Sequence, residues 1–282
     1  MNYRHAYHAG NFADVFKHVL LSRIITYLKH KDAAFRVIDT HAGPGLYDLG
    51  SVEAGKTGEW ILGAGRVATA RFSDDAAELM RPYLAVLAQL KTNGTLSAYP
   101  GSPLIARNLL RRQDRLSACE LHAEDFGALQ ALFAGDWQVR TMNLDGWLVP
   151  GAHLPPKEKR GVVLIDPPFE TEGEFGRLAD ALARGAARWP GGIFALWYPL
   201  KHEPQVAEFI AGLAASGIGR LLQAELWVRG PSKDTLFRGC GMIIRNPPYV
   251  LEAELRTLLP ELSECLAMNS GAGWRIKAIA SE

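Results

Sequence analysis

The chain has 282 residues, 48% of them hydrophobic and 22% charged, and a formal net charge of +1. These proportions exclude a disordered or histone-like polybasic chain and fit one large domain, or a domain with an insertion, in which nucleic acid would be met by local basic patches. Three cysteines without CxxC spacing argue against a zinc site and a disulfide framework, and the lack of a signal-like N-terminus or an apolar run near the ~18 residues of a membrane span predicts a soluble, cytoplasmic protein.

In chain order, the first helix is predicted over residues 12–30. Asn11 is its N-cap, and Val15, Phe16, Val19, Leu20 and Ile24 keep helical spacing. Asp14, Lys17 and His18 fall on another face, three and four residues apart. Residues 35–40 read as the first strand and run into the turn-rich loop His41-Ala42-Gly43-Pro44-Gly45. Residues 46–100 then carry no convincing buried strand, only a glycine-rich stretch and a helix from about Asp75 to Leu90. Strands resume at 116–120, 138–142, 161–165, 192–197, 221–228 and 242–245. Helices are predicted between them, near 102–112, 123–133, 173–187, 203–216 and 250–264. That alternation predicts an α/β fold with a seven-stranded, mainly parallel sheet and helices on both faces.

The order of polar residues along this frame matches a class I S-adenosylmethionine site. A glycine loop follows strand one, Glu120 ends strand two, Asp145-Gly146 follows strand three, and Asp166-Pro167-Pro168-Phe169 follows strand four. In that layout Glu120 takes the ribose hydroxyls, Asp145 faces the adenine amine, and the glycine loop admits the methionine moiety. Asp39 and Glu120 stand 81 positions apart, against a usual gap of ~20. The excess is explained by an inserted helical subdomain over residues 47–97, which leaves 1–46 and 98–282 as the main domain. The alternative makes Glu120 a surface acid. Ser102, after Pro100-Gly101, opens a helix either as its N-cap or beside a site for the methionine carboxylate. His18 and His41 have no metal-ligand company, no metal site is expected, and each reads equally as a hydrogen-bonded structural histidine.

Asp166–Phe169 carries the chemistry. The carboxylate and the Pro167 carbonyl can accept two hydrogen bonds from a planar exocyclic amine, because proline fixes φ and leaves its carbonyl free. The Phe169 ring offers a face for a base. A look-alike, Asn246-Pro247-Pro248-Tyr249, follows strand seven and is read as a turn launching the last helix, because ligands in this fold bind at the switch point beside strand four. Basic residues cluster at Arg107–Arg115, at Lys157, Lys159 and Arg160, and at Arg229, Lys233 and Arg238. Taken alone, each cluster reads equally as solvated surface charge.

Tyr3-Arg4-His5, His8-Ala9-Gly10-Asn11, Ala13-Asp14-Val15, Lys17-His18, Asp39-Thr40-His41-Ala42-Gly43, the block from Tyr99 to Arg107, Asp166-Pro167-Pro168 and the block from Ala195 to Pro199 resemble the signatures of the RlmJ family, bacterial 23S ribosomal RNA adenine N6-methyltransferases. The resemblance spans nearly the whole chain and implies a Rossmann-like class I methyltransferase with a small helical insertion. It implies S-adenosylmethionine as cofactor, held by His18, His41, Ser102, Glu120, Asp145, Gly146 and Asp166, with Asp166 as the catalytic acid. It also implies 23S ribosomal RNA as substrate and Tyr3 as a substrate-contacting residue. Phe169 departs from the family's more usual tyrosine. On this reading His5, Lys17, Pro167 and Phe169 also face the base, and the N-terminal segment closes over the pocket. A monomer without an obligate protein partner is expected. Competing readings are a DNA adenine or cytosine amino-methylase, an RNA guanine N2-methylase, and a non-catalytic ribosome-assembly factor on a methylase scaffold.

Overall fold

The computed structural model describes residues 5–201, 203–231 and 237–280. Its centre is one eight-stranded sheet: β1 (Arg36–Asp39), β2 (Arg115–Glu120), β3 (Val139–Asn143), β4 (Gly161–Ile165), β5 (Ile193–Leu200), β6 (Leu221–Trp227), β7 (Gly239–Arg245) and β8 (Gly273–Ala280). The spatial order is β8-β6-β7-β5-β4-β1-β2-β3. From β3 to β5 every pairing is parallel, whereas β7 is antiparallel to both β5 and β6, and β8 is antiparallel to β6. The expected seven strands are thus joined by an eighth, Gly273–Ala280, which pairs along the whole of β6. As an edge strand it is half-exposed and mixes Lys277 and Arg275 with Ile276 and Ile279, so its sequence lacks a buried run.

Helices α1 (Phe12–Leu28), α2 (Asp74–Ala88), α3 (Ser102–Leu109), α4 (Ala123–Leu132), α5 (Glu174–Arg188), α6 (Glu203–Ala215) and α7 (Leu251–Leu266) cover the sheet. One core, rich in residues of α1, α2 and α7, lies on one face. A second core, built from α5, α6 and the residues after β3, lies on the other. Central strand β4 reads Gly-Val-Val-Leu-Ile and is buried throughout, as a strand covered on both faces must be.

Asn11 caps α1 as expected, its side-chain oxygen accepting from the backbone N–H groups of Ala13 and Asp14. The helix departs from the amphipathic reading, because Asp14, Lys17 and His18 are buried along with the apolar stripe. It is wedged between the sheet and the segment 46–100, so Asp14 and Lys17 find their partners inside the protein. Within that segment, Leu46–Asp48 pairs antiparallel with Ala98–Pro100, and two- and three-residue strands like these are too short to show a pattern. The Tyr99 hydroxyl joins the segment to α1 through His18 Nδ1 at 2.7 Å and meets the Tyr83 hydroxyl at 3.2 Å.

Candidate active site

The chain reverses its lateral direction between β1 and β4, with β2 and β3 laid down on one side and β5 on the other. A crevice at the carboxyl ends of the strands is the expected result at such a point. Registers align Asp39 with Ala118 on one side and Leu164 on the other, so the loops after β1, β2 and β4 leave the sheet together. The loop after β1 is pinned to both neighbours: Thr40 N donates to Leu164 O at 3.1 Å and Ala42 N to Cys119 O at 2.9 Å. A cavity of about 710 Å³ opens there, a size typical of small-molecule sites.

All the sequence-predicted site residues within the described part of the chain line this cavity: His5, Lys17, His18, His41, Ser102, Glu120, Asp145, Gly146, Asp166, Pro167 and Phe169. Tyr3 and Arg4 lie outside the described residues. Asn246 lies at the opposite edge of the sheet. β7 runs antiparallel to β5, with Arg245 beside Phe194 at the start of β5, so its carboxyl end points away from the crevice. The Asn246 amide donates to the carbonyls of Pro190 and Gly192, both at 2.8 Å, which makes it a turn lock.

On the β2 and β3 side the groups suit a nucleoside. Glu120 accepts from Gly43 N at 2.8 Å and from His122 N at 2.7 Å. A carboxylate has about four acceptor sites, so both oxygens remain available to a vicinal diol. Burial pushes its carboxyl pKa up, against those backbone donors. Gly43 has φ +60°, and a β-carbon there would meet the Tyr47 hydroxyl at 2.4 Å. Asp145 accepts from Trp147 N at 3.0 Å, and the Arg177 guanidinium lies 4.5 Å over the Trp147 ring. Gly146 packs so tightly that a β-carbon would stand 1.9 Å from the Thr40 carbonyl oxygen.

Three buried polar groups lie towards the other end. His18 Nε2 is buried and has no hydrogen-bond partner. Burial, with Lys17 beside it, holds its pKa well below the ordinary histidine value, so the ring is neutral at pH 7. A Tyr99 hydroxyl donating to Nδ1 would leave Nε2–H as a donor toward the cavity. His41 is likewise neutral, its pKa lowered by burial to about 4. Thr40 donates its hydroxyl to Leu164 O at 3.0 Å, so it accepts from His41 Nδ1 at 2.7 Å and leaves Nε2 as an acceptor. Asp39 Oδ2 is buried without a partner, and burial pushes this carboxyl up to about 7, with the Ser102 hydroxyl opposing. Ser102 is the first residue inside α3, not its cap; Gly101 holds the cap position. The His18 donor, the His41 acceptor and Ser102 line one end of the cavity and fit the amino and carboxylate groups of a methionine moiety. A diol acceptor and a base-sized crevice beside Trp147 fit the nucleoside end. The donor set therefore suits S-adenosylmethionine.

The Asp166 side is wired into α1. Lys17 Nζ donates to Asp166 Oδ2 at 2.5 Å and to Asp14 Oδ1 at 2.8 Å. Asp14 Oδ2 accepts from Gly10 N and from His5 Nε2, both at 2.9 Å. Burial alone would discharge the Lys17 ammonium, but the two carboxylates outweigh it and hold its pKa above the ordinary lysine value. Phe169 adopts φ +52°, a conformation L side chains rarely take, and its ring sits 5.0 Å from that of Phe175 and 5.8 Å from that of Trp197. Strain of ~1–3 kcal/mol at such a residue persists only where the surroundings impose it.

Asp14, Asp39, Trp147 and Trp197 were not among the sequence-predicted site residues. The spacing of Asp14 to Lys17 was visible, but only burial shows that this pair faces inward. Trp147 follows Asp145-Gly146 directly, and Trp197 stands two residues after Ala195 in β5; neither position differs in sequence from an ordinary core aromatic.

A family model described as "Ribosomal RNA large subunit methyltransferase D, RlmJ" matches residues 32–279. The chain is 43% identical over 273 residues to ribosomal RNA large subunit methyltransferase J of Escherichia coli K12, covering 97% of this chain and 96% of that one. It is 39% identical to the protein of the same name from Haemophilus influenzae, over the full length of both. Among solved structures, protein LPL1258 of Legionella pneumophila superposes with a TM-score of 0.87 at 34% identity, over 96% of this chain and 98% of that one.

Proposed function

The chain belongs to the RlmJ family of ribosomal RNA large subunit methyltransferases, and from that premise we propose that it methylates the exocyclic N6 amine of one adenine in 23S ribosomal RNA. Its cofactor is S-adenosylmethionine, which when bound supplies an electrophilic methyl group on a sulfonium. The observation that carries the reading is the opening of Asp166–Phe169 into the same cavity as Glu120, Asp145 and Gly146. An amine acceptor pair, an aromatic face and a nucleoside cradle thereby share one crevice. We assign residues 47–97 as a helical insertion that closes one side of it.

Each residue has a definable task. Glu120 accepts the ribose hydroxyls, Asp145 the adenine amine of the cofactor, and Gly146 lets the backbone approach. His18, His41 and Ser102 meet the methionine end. Lys17 occupies Asp166 Oδ2 and so fixes the carboxylate's orientation, leaving Oδ1 to accept one N–H of the substrate amine. The Pro167 carbonyl accepts the other. Held this way, the amine nitrogen turns its lone pair toward the methyl group, and most of the rate comes from positioning. Transfer would form the nitrogen–carbon bond as the methyl–sulfur bond breaks and a neutral thioether leaves, and the amine's surplus proton would pass to Asp166. The target base must leave its stack, at a few kcal/mol, and Phe169 replaces part of the lost stacking. His5, tied to Asp14, lines the cavity and faces the base.

The test is methyl transfer from labelled cofactor to unmodified 23S ribosomal RNA, followed by digestion to nucleosides. The label is expected in N6-methyladenosine for the wild type and absent for Asp166→Ala. Label in N2-methylguanosine would reject the adenine assignment. Transfer by Asp166→Ala at the wild-type rate would reject the mechanism.

A further inference from the structure

Over β1, β2 and β3, from Arg36 and Arg115 at the amino ends of their strands to Ser117 and Met142 further along, a second concavity of about 400 Å³ opens. Its lining includes Arg36, Arg115, Arg140 and Lys157 and no acidic residue. The carboxylates nearby are all engaged by arginines, Arg36 of the lining among them. Arg36 takes Glu158 through two bonds of 2.9 Å, Arg111 takes Asp114 through three, and Arg107 takes Asp136. Among the described residues Arg115, Arg140 and Lys157 have no carboxylate within ion-pair distance, and Arg140 and Lys157 are exposed.

Trp137 stands at the same place, 61% exposed, with the Arg115 guanidinium 4.4 Å from its ring centroid. A large exposed aromatic ring backed by an arginine, beside uncompensated cations, is what a single-stranded nucleic acid requires: a face for a base and donors for phosphates. β2 spans six residues from Arg115 to Glu120, so Arg115 in this groove and Glu120 in the first cavity stand roughly 17 Å apart along the strand. That distance is within reach of a structured RNA already held at the first site.

We propose that this groove is a second RNA contact, which binds a phosphate run and one unstacked base of the ribosomal RNA substrate away from the target adenine. The proposal rests on ribosomal RNA as substrate. It adds a determinant of affinity for long RNA that leaves the chemical step untouched.

Two variants test it: Trp137→Ala and the pair Arg140→Glu with Lys157→Glu. All three positions are surface sites with no part in the catalytic machinery. Each variant would be assayed on full-length 23S ribosomal RNA and on the shortest RNA fragment the wild type still methylates. The expected result is a KM for full-length RNA raised about tenfold, an unchanged kcat, and wild-type kcat/KM on the short fragment. For the charge-reversed pair, the slope of log affinity against log salt should also fall by roughly 1.5–2. Trp137→Phe should recover most of the loss. Fluorescence-anisotropy titration of the same RNAs, without cofactor, reads the contact independently of methyl transfer, so failure of the methylation reading would not be mistaken for failure of this one. Unchanged KM, salt slope and anisotropy on full-length RNA overturn the proposal. So does a defect seen only with ribosomal particles and not with naked RNA, which would make the face a protein-docking surface.

Discussion

Replacing Lys17 with Met removes an ammonium and keeps the apolar stem. Lys17 is 5% exposed, and its ammonium lies 2.8 Å from one carboxylate and 2.5 Å from another. Breaking a buried pair by deleting one partner generally costs 3–5 kcal/mol, because a charge is left uncompensated. Here Asp14 keeps Gly10 N and His5, and Asp166 borders the open cavity, so the expected loss is at the lower end, about 3 kcal/mol. Asp14→Asn in the same chain removes the orphaned charge. The double variant should therefore be more stable than the sum of the single losses predicts, by about 1–2 kcal/mol. The assay is urea unfolding of the cofactor-free protein at pH 7. Asp14 is buried, but His5 and Lys17 hold its carboxyl well below the ordinary aspartate value. Its contribution is thus fully present above pH ~4 and lost as the pH falls further, and Lys17→Met should shift acid unfolding to higher pH. A loss under 1 kcal/mol, or strict additivity in the double variant, would refute the view that Lys17 neutralises the buried Asp14 together with Asp166.

Other outcomes follow from single contacts. Asp39 gives the opposite pH dependence: with a folded pKa of about 7, the native state holds a proton that the unfolded chain has released. Stability should therefore fall as pH rises from about 4 to 7, by up to ~1.4 kcal/mol per pH unit. Subtracting the Asp39→Asn curve from that of the wild type isolates this slope, and parallel curves would contradict it. Gly146→Ala forces a methyl group against the Thr40 carbonyl, so calorimetry should show cofactor affinity reduced at least about tenfold, and the melting temperature should fall as the two loops are pushed apart. Phe169→Ala should lower methyl transfer by about 10- to 100-fold, the worth of one stacked base, whereas Phe169→Tyr should stay within about threefold, since stacking needs only the ring. Asn246→Ala, altering a turn on the far edge, should keep wild-type transfer; lost transfer with intact cofactor binding would mean the wrong motif was assigned.

Periodicity and punctuation determine much of this protein. The buried run Val162–Ile165 can only be a covered strand, and the Asn11 cap and apolar spacing after it fix the first helix. The order of glycine loop, Glu120, Asp145-Gly146 and Asp166 along the strands was enough to predict one crevice, because carboxyl ends of parallel strands necessarily share an edge. Three things waited for tertiary structure. The eighth strand is legible only through its partner β6, since an edge strand needs no apolar run of its own. The reversal of β7, which carries Asn246 to the far edge, is a property of pairing and not of residues. And the inward face of α1 reads as solvent-facing in sequence, because Asp14, Lys17 and His18 are polar; only packing against the segment 46–100 and the sheet shows them buried, with Asp14 and Lys17 neutralising each other beside Asp166. Local patterns encode what a segment prefers, whereas long-range packing decides which of its charges lose their water and so acquire chemical roles.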